Sequence, residues 1–250
     1  MHNAIPPGGG FEEGTSLLCL HPATASGRIF ERLALLMGRE RSVYAPDIPG
    51  LGESDPPPSH LTIADYAGAI GDFLDSMRFR QIDLLGYREG ATIAAELTIE
   101  RATQIRRAVF VSPPVLDDTE REAFRRAATP VSPTEDGSHL TAEWHRVLGA
   151  YPPGIALEIR TRAFAERLRN GSHAGWMAAA ALQYPAHERL PLVSVPALVV
   201  RLKDEFWEAA SRARELLPKA RFVDMPEHGN GVFEAAPDAV CDPIRGFLRA

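Results

Sequence analysis

The chain has 250 residues, 45% hydrophobic and 24% charged, with a formal net charge of −6 and a pI near 5.8. That is enough apolar material for a full core in a single domain carrying an insertion. The acidic balance favours neither nucleic acid nor an anionic membrane surface as a partner.

Two cysteines, Cys19 and Cys241, lie far apart in apolar contexts and read as small buried hydrophobes rather than a disulfide framework. Met1–Gly10 has neither an apolar run nor a cationic start, and no stretch approaches the roughly 20 apolar residues a membrane span needs. The expectation is a cytoplasmic chain whose partner is a small-molecule substrate.

Met1–Gly14, with Pro6-Pro7-Gly8-Gly9-Gly10, reads as a flexible leader. Leu17-Leu18-Cys19-Leu20 is a continuous apolar run, the pattern of a buried parallel strand, and ends at His21-Pro22. Helical spacing follows over 29–37, then a strand over 41–45 that breaks at Asp47-Ile48-Pro49-Gly50-Leu51-Gly52. A helix is predicted from Leu61 to about Met77, a strand at 82–85, a helix over 91–100 and a strand over 107–111. Between Val115 and Leu190 the strand pattern disappears, and helical stretches recur around 119–128, 140–150, 155–169 and 172–182. The sheet resumes over 195–200, followed by a helix over 206–217, a strand over 220–224 and a helix over 238–248. This alternation predicts an α/β fold, a mostly parallel sheet flanked by helices. Residues 1–114 and 191–250 would form its core, and 115–190 an inserted helical cap.

Asp83-Leu84-Leu85-Gly86-Tyr87-Arg88-Glu89-Gly90-Ala91 has the frame of a nucleophile elbow, G-x-S-x-G, where a strand turns tightly into a helix and holds the middle residue over the sheet edge. The middle residue here is Arg88. A guanidinium stays protonated and has no lone pair with which to attack a carbonyl, which rules out a Ser–His–Asp acyl-enzyme. A cation at a helix N-terminus is misplaced by roughly 0.3–1 kcal/mol before burial is counted. Three anions are candidates to compensate it: Glu89, Asp204, or a substrate carboxylate or enolate held bidentately. A permanent Arg88–Asp204 pair would plug the site.

Further segments carry a family resemblance. Leu18–Ala23, the turn Ala45-Pro46-Asp47-Ile48-Pro49-Gly50-Leu51-Gly52-Glu53-Ser54, Arg201–Asp204, and Pro226-Glu227-His228-Gly229 with Glu234-Ala235-Ala236-Pro237 together resemble the α/β-hydrolase superfamily over nearly the whole chain. The resemblance implies the α/β-hydrolase fold, with Asp204 as the acid, His228 as the proton-transfer group, and the amides of Ala23 and Glu89 as oxyanion donors. Arg88 also excludes the Asp-nucleophile route of the haloalkane dehalogenase and epoxide hydrolase branches. Pro22 and Arg201 stand where the family commonly has glycine, and the leading hairpin looks trimmed. His21 either donates to a substrate oxygen or braces the oxyanion loop, with bracing favoured. Tyr87 faces the pocket or packs under the cap.

In the cap, His139, His145, His173 and His187 lack metal-ligand spacing, so neither metal nor cofactor is expected. Trp144, Phe164 and Trp176 are candidates for a pocket roof, although aromatics at helical spacing are more often core. Asp117-Asp118 reads as N-terminal carboxylates of the first cap helix, with an alternative role as the acid. A cap helix is also a candidate interface for a homo-oligomer.

Three functions compete. The first is a cofactor-free enzyme of lyase or isomerase type, in which His228 with Asp204 moves the proton and Arg88 binds the anion. The second is hydrolysis by water activated by His228. The third is a non-catalytic, ligand-binding pseudoenzyme.

Overall fold

The computed structural model describes residues 2–4, 14–127, 132–173 and 175–250. In chain order the strands are β1 (His2–Ala4), β2 (Gly14–Leu20), β3 (Arg41–Ala45), β4 (Ile82–Tyr87), β5 (Ile105–Val111), β6 (Ala197–Leu202) and β7 (Arg221–Met225). The helices are α1 (Glu31–Met37), α2 (Ile63–Ser76), α3 (Glu89–Glu100), α4 (Asp118–Ala127), α5 (Ser138–Ala150), α6 (Leu157–Arg169), α7 (Trp176–Gln183), α8 (Ala186–Arg189), α9 (Trp207–Ser211), α10 (Ala213–Leu216), α11 (Val232–Ala235) and α12 (Pro237–Arg249).

The sheet runs β1-β3-β2-β4-β5-β6-β7 and is parallel throughout except where β1 pairs antiparallel with β3. Alternate residues of each central strand enter opposite layers, as strand geometry requires. Leu18, Leu20, Leu84, Phe110 and Val199 pack against α2, α3 and α7. Leu17, Cys19, Leu85, Val109 and Val200 pack on the other face with α1, α11 and α12. Both faces are covered, and this explains why these strands read as unbroken apolar runs. Cys19 and Cys241 are buried free thiols of the second layer.

The N-terminal expectation needs correcting. His2–Ala4 is not a flexible leader but a strand on the edge of β3, where β3 otherwise offers unpaired backbone groups. The Pro-Gly run of that leader lies outside the described residues. Another difference is at 206–217, where the single predicted helix is two short ones, α9 and α10, divided at Arg212.

Helices α4–α8 are inserted between β5 and β6. A buried ion cluster ties them to the core. Glu96 of α3 takes two hydrogen bonds from Arg189, at 2.6 and 2.9 Å, and one from the Tyr184 hydroxyl at 2.9 Å. Asp117 and Glu120 form a reciprocal cap at the start of α4, with N–H to carboxylate distances of 2.8 and 3.0 Å. Asp117 is therefore a helix-terminal carboxylate, as its position suggested.

Candidate functional site

β4 leads directly into α3, and Arg88 makes the turn with φ 55° and ψ −120°. A non-glycine residue there is strained, and two hydrogen bonds hold it: Arg88 N donates to Val111 O and Ala91 N to Arg88 O, both at 2.8 Å. The flanking glycines allow the close approach. A Cβ on Gly86 would lie 2.4 Å from Gly90 O, and one on Gly90 would lie 2.2 Å from Leu20 O. Sequence and structure agree on this elbow down to the reason for each glycine.

The Arg88 side chain is enclosed by partners from three other elements. Nη2 forms an ion pair with Glu205 Oε1 in the loop after β6, and lies 3.9 Å from Glu89 Oε1. Nη1 donates to Asn230 Oδ1 at 3.3 Å. The guanidinium carbon sits 5.0 Å from the centre of the Phe206 ring. Burial opposes the charge, but Glu205, Glu89, Tyr87 and Asp204 outweigh it and hold the pKa above its ordinary value. For Glu205, burial works against ionisation, and the charge of Arg88 together with hydrogen bonds from its own backbone N–H, Asn230 and Arg88 outweighs it, leaving its pKa below the usual range.

Asn230 is the hub of this network. It accepts from the Tyr87 hydroxyl at 3.0 Å and donates through Nδ2 to Ala150 O at 2.7 Å and Glu205 Oε2 at 2.9 Å. Tyr87 thus packs within the core while its hydroxyl serves the site, and burial drives its pKa well up.

The oxyanion loop has two features. His21 is fully buried; Nε2 accepts from Ile48 N at 3.0 Å and Nδ1 lies 2.9 Å from Pro22 O, so it braces the loop. Burial lowers its pKa, against the opposing pull of the Pro22 carbonyl and Asp47, which favours the neutral ring. Ala23 N, the expected oxyanion donor, donates instead to Glu89 Oε2 at 3.2 Å. The chain's own carboxylate occupies that amide.

Asp204 and His228 are not joined. Asp204 Oδ1 accepts from Phe206 N at 3.0 Å, while its buried Oδ2 has no hydrogen-bond partner of good geometry among the described residues. Burial pushes its pKa up to about 7, with Arg88 opposing and Glu205 adding to the rise. The carbonyl of His228 accepts from Lys203 N at 2.6 Å, but its ring makes no hydrogen bond among the described residues, and neither His228 nor Asp204 lines the cavity described below. The alternative of a plug formed by Arg88 and Asp204 is corrected, because the ion pair of Arg88 is with Glu205. Sequence reasoning missed Glu205 and Asn230. Their signals were present: a second carboxylate beside Asp204, and a polar residue between two glycines, Gly229-Asn230-Gly231, that the turn projects inward.

A cavity of about 790 Å³ opens above Arg88. Pro114, Leu116, Phe124, Ala178, Leu182 and Phe206 make its apolar walls, and Glu143, Arg146 and Arg167 form a charged rim from α5 and α6. The predicted roof aromatics are elsewhere: Trp144 and Phe164 pack edge to face, and Trp176 stacks on His60. Among the described residues no group of three or more His, Cys, Asp or Glu could hold a metal ion.

The alpha/beta hydrolase family model matches residues 17–242. The chain belongs to the alpha/beta hydrolase family. Its fold is similar to that of a hydrolase from Pseudomonas aeruginosa PA01, with a TM-score of 0.81, 21% identity and coverage of 97% of this chain and 92% of that one. An enol-lactonase from Burkholderia xenovorans LB400 is similarly related, with a TM-score of 0.79, 17% identity and coverage of 100% and 96%. An uncharacterized protein of Mycobacterium tuberculosis is 23% identical over 118 residues, 47% of this chain and 35% of its own. The chain thus spans about a third of that curated relative, and these likenesses establish the alpha/beta hydrolase fold. No helix among the described residues is long and apolar enough to cross a membrane.

Proposed function

We propose that this family member acts on a small substrate with an apolar body and a carbonyl or carboxylate end, by acid/base chemistry without a covalent intermediate. The carrying observation is Arg88, fixed at the strand–helix turn beneath the cavity. It cannot attack a carbonyl, but its N–H donors suit an oxygen on which negative charge develops.

Asp204 is the proton-transfer group in this reading; like His228 it does not itself line the cavity, and it is preferred because it adjoins Glu205 and Phe206, which do. A pKa near 7, which the Ser112 hydroxyl and Phe206 N–H temper, suits exchange of a proton near neutrality. Lyase or isomerase chemistry, such as decarboxylation, retro-aldol cleavage or tautomerisation, needs one anion site and one proton site. Hydrolysis by activated water also needs the amide that Glu89 occupies, so we rank it second among reactions.

The test is turnover of a panel of β-keto acids, β-hydroxy ketones and p-nitrophenyl esters by wild type, Asp204→Asn and Arg88→Ala. Loss of carbonyl-acid turnover in both variants supports the assignment; turnover unchanged in Asp204→Asn removes it. A second reading, ligand binding without turnover, is favoured by one observation: Glu205 and Glu89 already satisfy the cation and the amide a substrate would need. Binding with no turnover across the panel would select it.

A further inference from the structure

The charged residues lining the cavity above Arg88 fall into two groups. Arg88, Glu89 and Glu205 belong to the core, at the elbow and in the loop after β6. His139, Glu143 and Arg146 of α5 and Arg167 of α6 belong to the cap. At about 790 Å³ the space lies within the roughly 300–1,000 Å³ of pockets that enclose a ligand of many atoms. One ligand can therefore reach both groups.

Spacing places the cap group. His139, Glu143, Arg146 and Ala150 follow one another at intervals of four, three and four, so one face of α5 is turned to the cavity. An inward helix face is ordinarily apolar, and the carboxylate on this one, Glu143, is only 9% exposed. It has two cationic partners, pairing with Arg167 Nε and lying 3.5 Å from Arg146. Arg167 uses Nε alone for this contact. Among the described residues its Nη1 and Nη2 make no hydrogen bond, and its side chain is 24% exposed. Two donors of that guanidinium are open to a ligand.

The two groups differ in sign. In the cap lining two guanidiniums share one carboxylate, which leaves one positive charge in surplus with His139 neutral. In the core lining Arg88 pairs with Glu205 and lies 3.9 Å from Glu89, two carboxylates to one guanidinium and one negative charge in surplus. A ligand anion is repelled from the core group and drawn to the cap group. What is left for Arg88 is the uncharged end of the ligand, a carbonyl oxygen.

We propose that Arg146 and Arg167 form a subsite for a carboxylate at the end of the substrate opposite its carbonyl. The substrate class is then an oxo acid whose two ends are separated by an apolar body. Nη1 and Nη2 of Arg167 suit bidentate contact with the carboxylate, and Arg146 adds its charge. Glu143 steadies both guanidiniums and also competes with the ligand for them, so its removal acts in the opposite direction to theirs. The inference deepens the proposed function and rests on its placing of the carbonyl at Arg88.

The experiment is calorimetric titration of 8-oxononanoate and its neutral analogue 8-oxononanamide into the full chain near neutral pH. The acid is expected to bind wild type about fivefold more tightly than the amide, a modest gap because both arginines are partly exposed and salt screens them. Arg146→Gln and Arg167→Gln should each close that gap and leave the amide unaffected, whereas Glu143→Gln should widen it. Equal affinity for the two compounds, no binding of the acid, a gap unchanged in the arginine variants, or a gap narrowed by Glu143→Gln overturns the proposal. Arg146, whose side chain is 36% exposed, keeps the test open where the more buried variants do not fold. The gap is read from binding alone, so it can vanish while turnover by Asp204→Asn and Arg88→Ala upholds the proposed reaction, and the reverse.

Discussion

Arg88 and Glu205 form an ion pair above the sheet, one from the tight turn before α3 and the other from the loop after β6. The anion that a cation at a helix N-terminus demands comes from the chain itself. Asn230 holds both partners, so the pair is positioned as well as neutralised.

Removing one charge leaves the other without its partner. Arg88→Met leaves Glu205, whose side chain is 33% exposed, and Glu89 without their cation, and the expected loss is about 1–2 kcal/mol of unfolding free energy. The double variant Arg88→Met/Glu205→Gln should recover a substantial part of it. Urea unfolding of the four proteins in the cycle measures this; a double variant no better than Arg88→Met alone would mean the two side chains are not coupled.

Asn230 and His228 separate the observed site from the one the motif suggested. Asn230→Ala removes the acceptor for Tyr87 and Arg88 and the donor to Glu205 and Ala150. It should cost about 2 kcal/mol and weaken any ligand bound above Arg88. His228→Ala, which removes a ring without hydrogen bonds, should stay within about 0.5 kcal/mol of wild type. Thermal unfolding of both variants gives the comparison, and the reverse ranking would restore His228 to the site.

Glu89 acts as an internal anion on the Ala23 amide. Glu89→Ala frees that N–H and removes a negative charge near Arg88, so small carboxylates such as butyrate should bind about tenfold more tightly to the variant. Competition titrations read the change directly; equal affinities would show that the amide is not a usable anion site.

Asp204 and Glu234 give stability a particular pH dependence. In an unfolded chain such carboxyls titrate at roughly 4, and in the fold both rise to about 7. The folded state binds these protons more tightly, so the contribution is fully present below about pH 4 and is lost as pH rises through about 7. Arg88 and Glu205 surround Asp204, and Arg162 and Arg32 act on Glu234, so each shift is what remains after those charges. Between about pH 4 and 8, Asp204→Asn and Glu234→Gln should each gain about 1–3 kcal/mol relative to wild type. Denaturant midpoints across that range check it; parallel curves would place both carboxyls in water.

The fold was readable because its signals are local. Unbroken apolar runs such as Leu17–Leu20 belong to strands covered on both faces, and Gly86 and Gly90 mark the one turn where strand and helix nearly touch. His2–Ala4 was not readable, because its strand is defined by pairing with β3, some forty residues away in sequence. At the site, Arg88 makes the turn between β4 and α3 with Tyr87 and Glu89 on either side, while the amide of Ala23 is taken by Glu89. Glu205 and Asn230 escaped notice because the resemblance directs attention to Asp204 and His228, one and two residues away. Loop geometry decides which of two adjacent polar residues turns inward, and this depends on long-range contacts such as Lys203 N to His228 O.

The central claim is that the elbow of this chain forms no covalent intermediate. Intact-protein mass spectrometry after incubation with a p-nitrophenyl ester or a fluorophosphonate tests it most directly. The account predicts an unmodified chain under conditions where the ester has access to the cavity. A stoichiometric acyl or phosphonyl adduct mapped to the cavity would contradict it.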